Sequence, residues 1–234
     1  MIITISIEYF SDVLCIWAYA GQIRIDKLRR DYRDSVMIHY RFLPIFAAAR
    51  QHIDSQWHDR GGLEGFNRYL SGIADHWEHI DTHPSIWKCI VPESSRAAHL
   101  YLKAIQILHR QGNLHDGRHD DCSYRNTLEQ AIWRFREAFF KEGRNIALRS
   151  VQDEIAAELQ LPVRAIHAVM DSGQAHAELY LDDEAKLRYQ IPGSPTIVLN
   201  GGRQTLYGNV GYRIIDANVR ELLHNEYHGE ASWC

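Results

Sequence analysis

No stretch of this sequence stays apolar for the roughly 18 residues that a membrane-crossing helix requires; the most suggestive, Val13 to Ile23, is preceded by Asp12 and closed by Arg24. A helical membrane protein is therefore not expected. Basic residues are absent before Arg24, so the charged opening of a secretory signal is missing and the expected compartment is the cytoplasm. Neither sign of charge dominates: 26 Lys and Arg against 30 Asp and Glu leave a formal charge of −4, which provides no general attraction for nucleic acid or an anionic membrane. Cysteine is scarce. The four, Cys15, Cys89, Cys122 and Cys234, form no close pair and no metal-ligand spacing, which argues against a disulfide framework. Internal repeats and low-complexity tracts are also missing. At 45% hydrophobic and 24% charged, the 234 residues suffice for one core carrying a large insertion.

The opening alternates. Ile3, Ile5, Ile7 and Tyr9 are separated by Thr4, Ser6 and Glu8, the period-2 pattern of a strand with one buried face. After a short connection, Ala18, Gly21, Ile25, Leu28 and Tyr32 recur at three or four residues along a helix, with Cys15 at its first turn. Val36, Ile38, Tyr40 and Phe42 then alternate again until Pro44. From about 45 to 175 strand signals almost vanish. A helix is expected from Ser94 or Ser95 to Gly112, and another after a capping box formed by Thr127 and Gln130, running to Gly143. Leu114 to Arg125 between them is polar and should be an exposed loop. Shorter helices fit Val151 to Leu159 and Pro162 to Met170. The last sixty residues carry a helical stretch around Ala177 to Tyr189, the run Gly193-Ser194-Pro195-Thr196 opening a strand, a turn at Asn200-Gly201-Gly202, and a return strand Gln204 to Tyr207. A terminal helix is expected to turn Ile214, Ile215, Val219, Leu222 and Leu223 inward.

The order strand, helix, strand, helical block, helix, two strands, helix, with a cysteine at the first helix's start and a proline opening the late strand, resembles the thioredoxin fold. The segments Ser11-Asp12-Val13-Leu14-Cys15-Ile16-Trp17-Ala18, Ser95-Arg96-Ala97-Ala98-His99, Ala138-Phe139-Phe140-Lys141-Glu142-Gly143 and Gly193-Ser194-Pro195-Thr196 are together similar to the DsbA-like branch. Within it they look most like the FrnE and 2-hydroxychromene-2-carboxylate isomerase group, related to kappa-class glutathione transferases. The fold class implied is α/β, a thioredoxin fold with a large all-helical insertion. Residues 1–45 and 176–225 would form the thioredoxin-like domain, 46–175 the inserted helical domain, and 226–234 a flexible tail.

Chemistry points to Cys15. The unpaired N–H groups and the positive end of the dipole at a helix N-terminus stabilise a thiolate, so an ionised sulfur at neutral pH is expected there. Dithiol members of the family carry Cys-x-x-Cys, but Ala18 occupies the second position here, so a mixed disulfide on Cys15 needs another thiol to release it. Glutathione is the expected co-substrate, and no tightly bound cofactor is expected. The resemblance implies that Pro195 is cis and faces the cysteine, leaving Ser194 to receive glutathione or an extended substrate. Trp17, Ala18 and Thr196 complete the expected binding site. Cys89 and Cys122 read as passive thiols, and Cys234 as a remote alternative resolving thiol. Isomerase and kappa-class relatives usually have serine at the position of Cys15, which leaves open a glutathione-dependent isomerase or transferase acting on a small aromatic or polyketide-like compound. A non-catalytic binding or chaperone module is the third possibility. The histidine-rich sets His76, His79, His83 and His115, His119, with Asp120, Asp121 and Cys122, do not recur at zinc-site spacing, and no metal is expected. Trp57, Phe66, Tyr69, Trp77 and Trp87 either line a groove over Cys15 or pack in the core. Oligomeric state stays open, a homodimer included.

Overall fold

The computed structural model describes residues 4–114 and 125–224. The alternating opening forms β1 (Ile5–Ser11), followed by α1 (Ile16–Tyr32) and β2 (Val36–Phe42). The helical block consists of α2 (Ala49–Trp57), α3 (Gly62–Ala74), α4 (Arg96–Arg110), α5 (Thr127–Phe140), α6 (Arg149–Glu158) and α7 (Val163–Asp171). Next come α8 (Gln174–Arg188), β3 (Thr196–Leu199), β4 (Gln204–Tyr207) and α9 (Tyr212–His224). The sheet order is β2-β1-β3-β4, with β1 parallel to β2 and β3 antiparallel to both its neighbours.

Both faces of this sheet are covered, which explains why β3 is buried at all four positions. Ile5, Ile7, Tyr9, Ile197 and Leu199 face the main core, which runs through α1 and α9 and on into the helical block. Phe10 and Val198, on the opposite face, meet Leu43, Ala185 of α8 and Ile191. The strand period of two thus divides adjacent residues between two separate clusters.

Several expectations need correction in detail. The capping box is formed by Asn126 and Glu129, one residue earlier than Thr127 and Gln130: Asn126 is extended, its side chain accepts from the Glu129 N–H at 2.9 Å, and Glu129 Oε2 accepts from the Asn126 N–H at 3.0 Å. Asparagine caps as well as threonine does, and here it is Asn126 whose backbone is extended and whose register closes the reciprocal pair with Glu129. Pro162 is the residue before α7 and not within it. On α9, Ile215, Val219 and Leu222 are buried, whereas Ile214 points to solvent. Ile3, most of the loop 114–125, Cys122, the tail and Cys234 lie outside the described residues. Among the described residues no helix is long and apolar enough to cross a membrane.

Candidate active site

The site is built where β1 ends. Cys15 occupies the capping position of α1 with extended backbone angles, and its carbonyl accepts from the N–H groups of Ala18 (3.1 Å) and Tyr19 (3.0 Å). The residue, 8% exposed, lines a cavity of about 610 Å³. Opposite it, the Ser194–Pro195 bond is cis, and the Cys15 thiol donates to the Ser194 carbonyl at 3.4 Å. The Ser194 hydroxyl accepts from the Asp12 N–H at 2.9 Å, so the connection carrying the cysteine and the turn carrying the proline are stitched together directly.

Asp12 anchors this connection from beneath. It is fully buried; one carboxylate oxygen accepts from the Leu14 N–H (2.9 Å), the other from the Phe46 N–H (2.9 Å) and the Ser95 hydroxyl (2.8 Å). His99 Nε2 lies between the Val13 N–H (3.1 Å) and the carboxylate (3.4 Å), its ring stacked on Phe42. Burial alone would raise the Asp12 pKa, but His99 and the N–H groups of Phe46 and Leu14 bring it below the ordinary value. Ser95 and His99, part of the sequence signature, are thus the groups with which the helical block grips the cysteine-bearing loop.

The remaining wall belongs to the helical block. Ile45, Phe46, Ile53, Trp57, Phe66, Tyr69 and Leu70 form an aromatic and aliphatic side, while His52, Gln56 and Arg60 bring polar groups. Trp57 packs against Phe66 and Tyr69 with ring centroids 5.3 and 5.0 Å apart. Tyr207 of β4 closes the rim: its ring lies where a Cβ on Gly193 would come within 2.9 Å, so a larger residue there would push the exposed ring aside. Of the five aromatic candidates, Trp57, Phe66 and Tyr69 line the cavity. Trp87 is instead fully buried against Phe46, Phe66 and Phe139, and Trp77 packs beside His79 under the Arg24 guanidinium.

The structure therefore gathers Cys15, Trp17 and Ser194 around one cavity and leaves three other expected residues outside its lining. Ala18 is fully buried within α1. Thr196 is fully buried with its hydroxyl donating to the Gly193 carbonyl at 2.6 Å, so it shapes the turn and is not offered to a ligand. Pro195 is buried against the side of the sheet that holds Tyr9 and Ile197. His52, Gln56, Arg60 and Tyr207 were not singled out from the sequence, where nothing marks which face of an uncapped helix turns toward a distant cysteine. The expected standing thiolate also needs correction. Burial pushes the Cys15 thiol up, as does the Asp12 charge; the Ser194 side chain and the N–H groups of Ala18 and Trp17 pull it down but do not prevail. The resting sulfur is a protonated thiol at neutral pH.

Of the histidines considered for a metal, His76 lies 2.6 Å from the Gly72 carbonyl, His79 is 2.9 Å from the Ala20 carbonyl, and His83 Nδ1 accepts from the Ser85 N–H at 3.2 Å; the set from His115 to Cys122 lies outside the described residues. Among the described residues, no three potential ligands converge.

Residues 123–219 match the family model of the DSBA-like thioredoxin domain. The whole chain superposes on a probable DsbA oxidoreductase from Streptomyces coelicolor with a TM-score of 0.71 at 16% identity, covering 98% of this chain and 94% of that one. This is a DsbA-like thioredoxin fold. The chain is also similar to the cytosolic disulfide reductase DsbM from Pseudomonas aeruginosa solved with GSH (TM-score 0.61, 19% identity, 92% and 99% covered). A 2-hydroxychromene-2-carboxylate isomerase matches with a TM-score of 0.60 at 15% identity, 94% and 97% covered. No curated protein matches the chain.

Proposed function

We propose that this DsbA-like protein is a cytoplasmic thiol–disulfide oxidoreductase that works with one cysteine, Cys15, and uses glutathione as its second thiol. The observation that carries this reading is the placement of Cys15: at the start of α1, on a cavity of about 610 Å³, with its sulfur 3.4 Å from the Ser194 carbonyl beside the cis bond. In the forward step the Cys15 sulfur attacks a substrate disulfide, the S–S bond breaks, and one half leaves as a thiol while the other stays on Cys15. With Ala18 where a local resolving cysteine would sit, a second thiol from solution must attack that mixed disulfide. Ser194 and Trp17 frame the approach, and the similarity to a disulfide reductase solved with GSH supports glutathione in this role.

Cys15→Ser tests this directly. The substituted protein is expected to lose glutathione-dependent disulfide reduction, and peptide mass analysis after exposure to oxidised glutathione is expected to find an adduct on Cys15 of the wild-type protein, whatever the exposed Cys89 acquires. Unchanged turnover in Cys15→Ser, or no adduct on Cys15 of the native protein, would refute the reading.

One observation favours a second reading. A protonated Cys15 can donate a hydrogen bond to the thiolate of bound glutathione, and the aromatic wall of Trp57, Phe66 and Tyr69 suits a small aromatic compound, as a glutathione-dependent isomerase or transferase would require. Serine donates the same bond but exchanges with no disulfide, so retention of substantial activity by Cys15→Ser toward such a compound separates the two chemistries.

A further inference from the structure

The resting Cys15 is protonated, and the thiol that must release it arrives protonated too. Neither half of the exchange proceeds until a proton moves, because the thiolate is the attacking species. His52 stands on the cavity shared with Cys15. Its ring meets the Phe46 ring edge-on, with centroids 5.3 Å apart, and among the described residues neither ring nitrogen is engaged by a protein group. By contrast, His79, His83, His99 and His167 are each tied to a backbone group or a carboxylate.

We propose that His52 is the general base that takes the proton from the incoming thiol and returns it to Cys15. This rests on the thiol-exchange reading above. The step is balanced: the incoming S–H proton passes to a His52 ring nitrogen, the resulting thiolate attacks the glutathione sulfur of the Cys15 mixed disulfide, and the S–S bond to Cys15 breaks. A new S–S bond joins the two small thiols, and the imidazolium gives its proton to the departing Cys15 sulfur. The incoming sulfur is oxidised as the Cys15 sulfur is reduced, with no other reactant.

The surroundings suit the role. Burial lowers the His52 pKa from its ordinary value, with the Asp12 charge opposing, so the imidazole is neutral and ready to accept at pH 7. The other titratable groups lining the same cavity are Cys15 at the start of α1, Arg60 from the turn after α2, Tyr69 from α3 and Tyr207 from β4; His52 is the one imidazole among them.

The test follows resolution of the purified Cys15–glutathione mixed disulfide by stopped flow, in wild type and His52→Gln, at pH 7. With glutathione as the attacking thiol, His52→Gln is expected to be slower by about 10²-fold, the lower end of general-base contributions. An aryl thiol already ionised at pH 7 needs no base and is expected to react equally with both proteins. The glutathione deficit should also close as the pH is raised and glutathione ionises unaided. Equal slowing with both thiols would assign His52 a merely structural part and overturn the proposal, as would no slowing with either. If the mixed disulfide never forms on Cys15, the exchange reading itself fails and this proposal falls with it; if it forms and His52→Gln resolves normally, only this proposal fails.

Discussion

Asp12 and Asp182 are both buried where the sheet meets the helical block, and they are satisfied by different kinds of partner. Asp12 receives two backbone N–H groups, a hydroxyl and a nearby imidazole, and no Lys or Arg. Asp182, on α8, receives the Lys103 ammonium at 2.6 Å, the Arg41 guanidinium at 3.1 Å and the Phe42 N–H at 3.0 Å. The first therefore keeps a negative charge whose field reaches Cys15 and His52. The second is cancelled where it stands. Burial lowers the Lys103 pKa and its attraction to Asp182 restores only part of that, so the pair fixes the placement of α4 and α8 against β2 more than it adds net stability. One aspartate tunes chemistry and the other sets position.

That contrast is open to measurement. Lys103→Met strips Asp182 of its closest cation and should cost about 3 kcal/mol in urea unfolding, the lower end for breaking a buried pair because Arg41 remains. Adding Asp182→Asn should recover part of the loss, and a strictly additive double variant would contradict the pairing. Asp12→Asn should cost about 2 kcal/mol through lost charge-assisted bonds. It should also lower the Cys15 pKa, seen as faster alkylation at neutral pH, whereas Lys103→Met should leave that rate unchanged. Acid titration sharpens the comparison further. The Asp12 pKa is depressed in the folded state, so its contribution is fully present above the unfolded value of about 3.9 and is lost as pH falls through the lower folded value. Asp12→Asn should accordingly show a shallower loss of stability below about pH 4 than wild type. Ser95→Ala, removing one donor to Asp12, should have the smallest effect, about 1 kcal/mol, with little change in alkylation.

Much of this molecule was legible before any coordinates. The alternation in β1 and β2, the apolar faces of α4 and α5, and the proline that opens β3 carry their structure in local spacing. α2 and α3 were not resolved as separate helices, for a physical reason: their capping positions are Ala48 and Gly61, neither with a side chain able to accept from the first turn, so nothing in the sequence announces where they begin. That Cys15, Trp17 and Ser194 come together on one cavity could be anticipated because a helix start and a proline turn have sequence signatures. The roles of Asp12 and Asp182 were not readable, since the partners of their carboxylates lie between 2 and 141 residues away and burial of a charge leaves no periodic trace. The ionisation expected of Cys15 erred in the same direction: helix geometry can be inferred from a sequence, but the depth of water exclusion around one sulfur cannot.

The division of the cavity wall has an evolutionary consequence. Trp57, Phe66, Tyr69 and Leu70 line the far wall, on helices that hold none of the backbone groups touching the sulfur. Inherited changes on that far side can reshape the cavity while the setting of the Cys15 sulfur stays intact, so one scaffold can serve diverging lineages without rebuilding it.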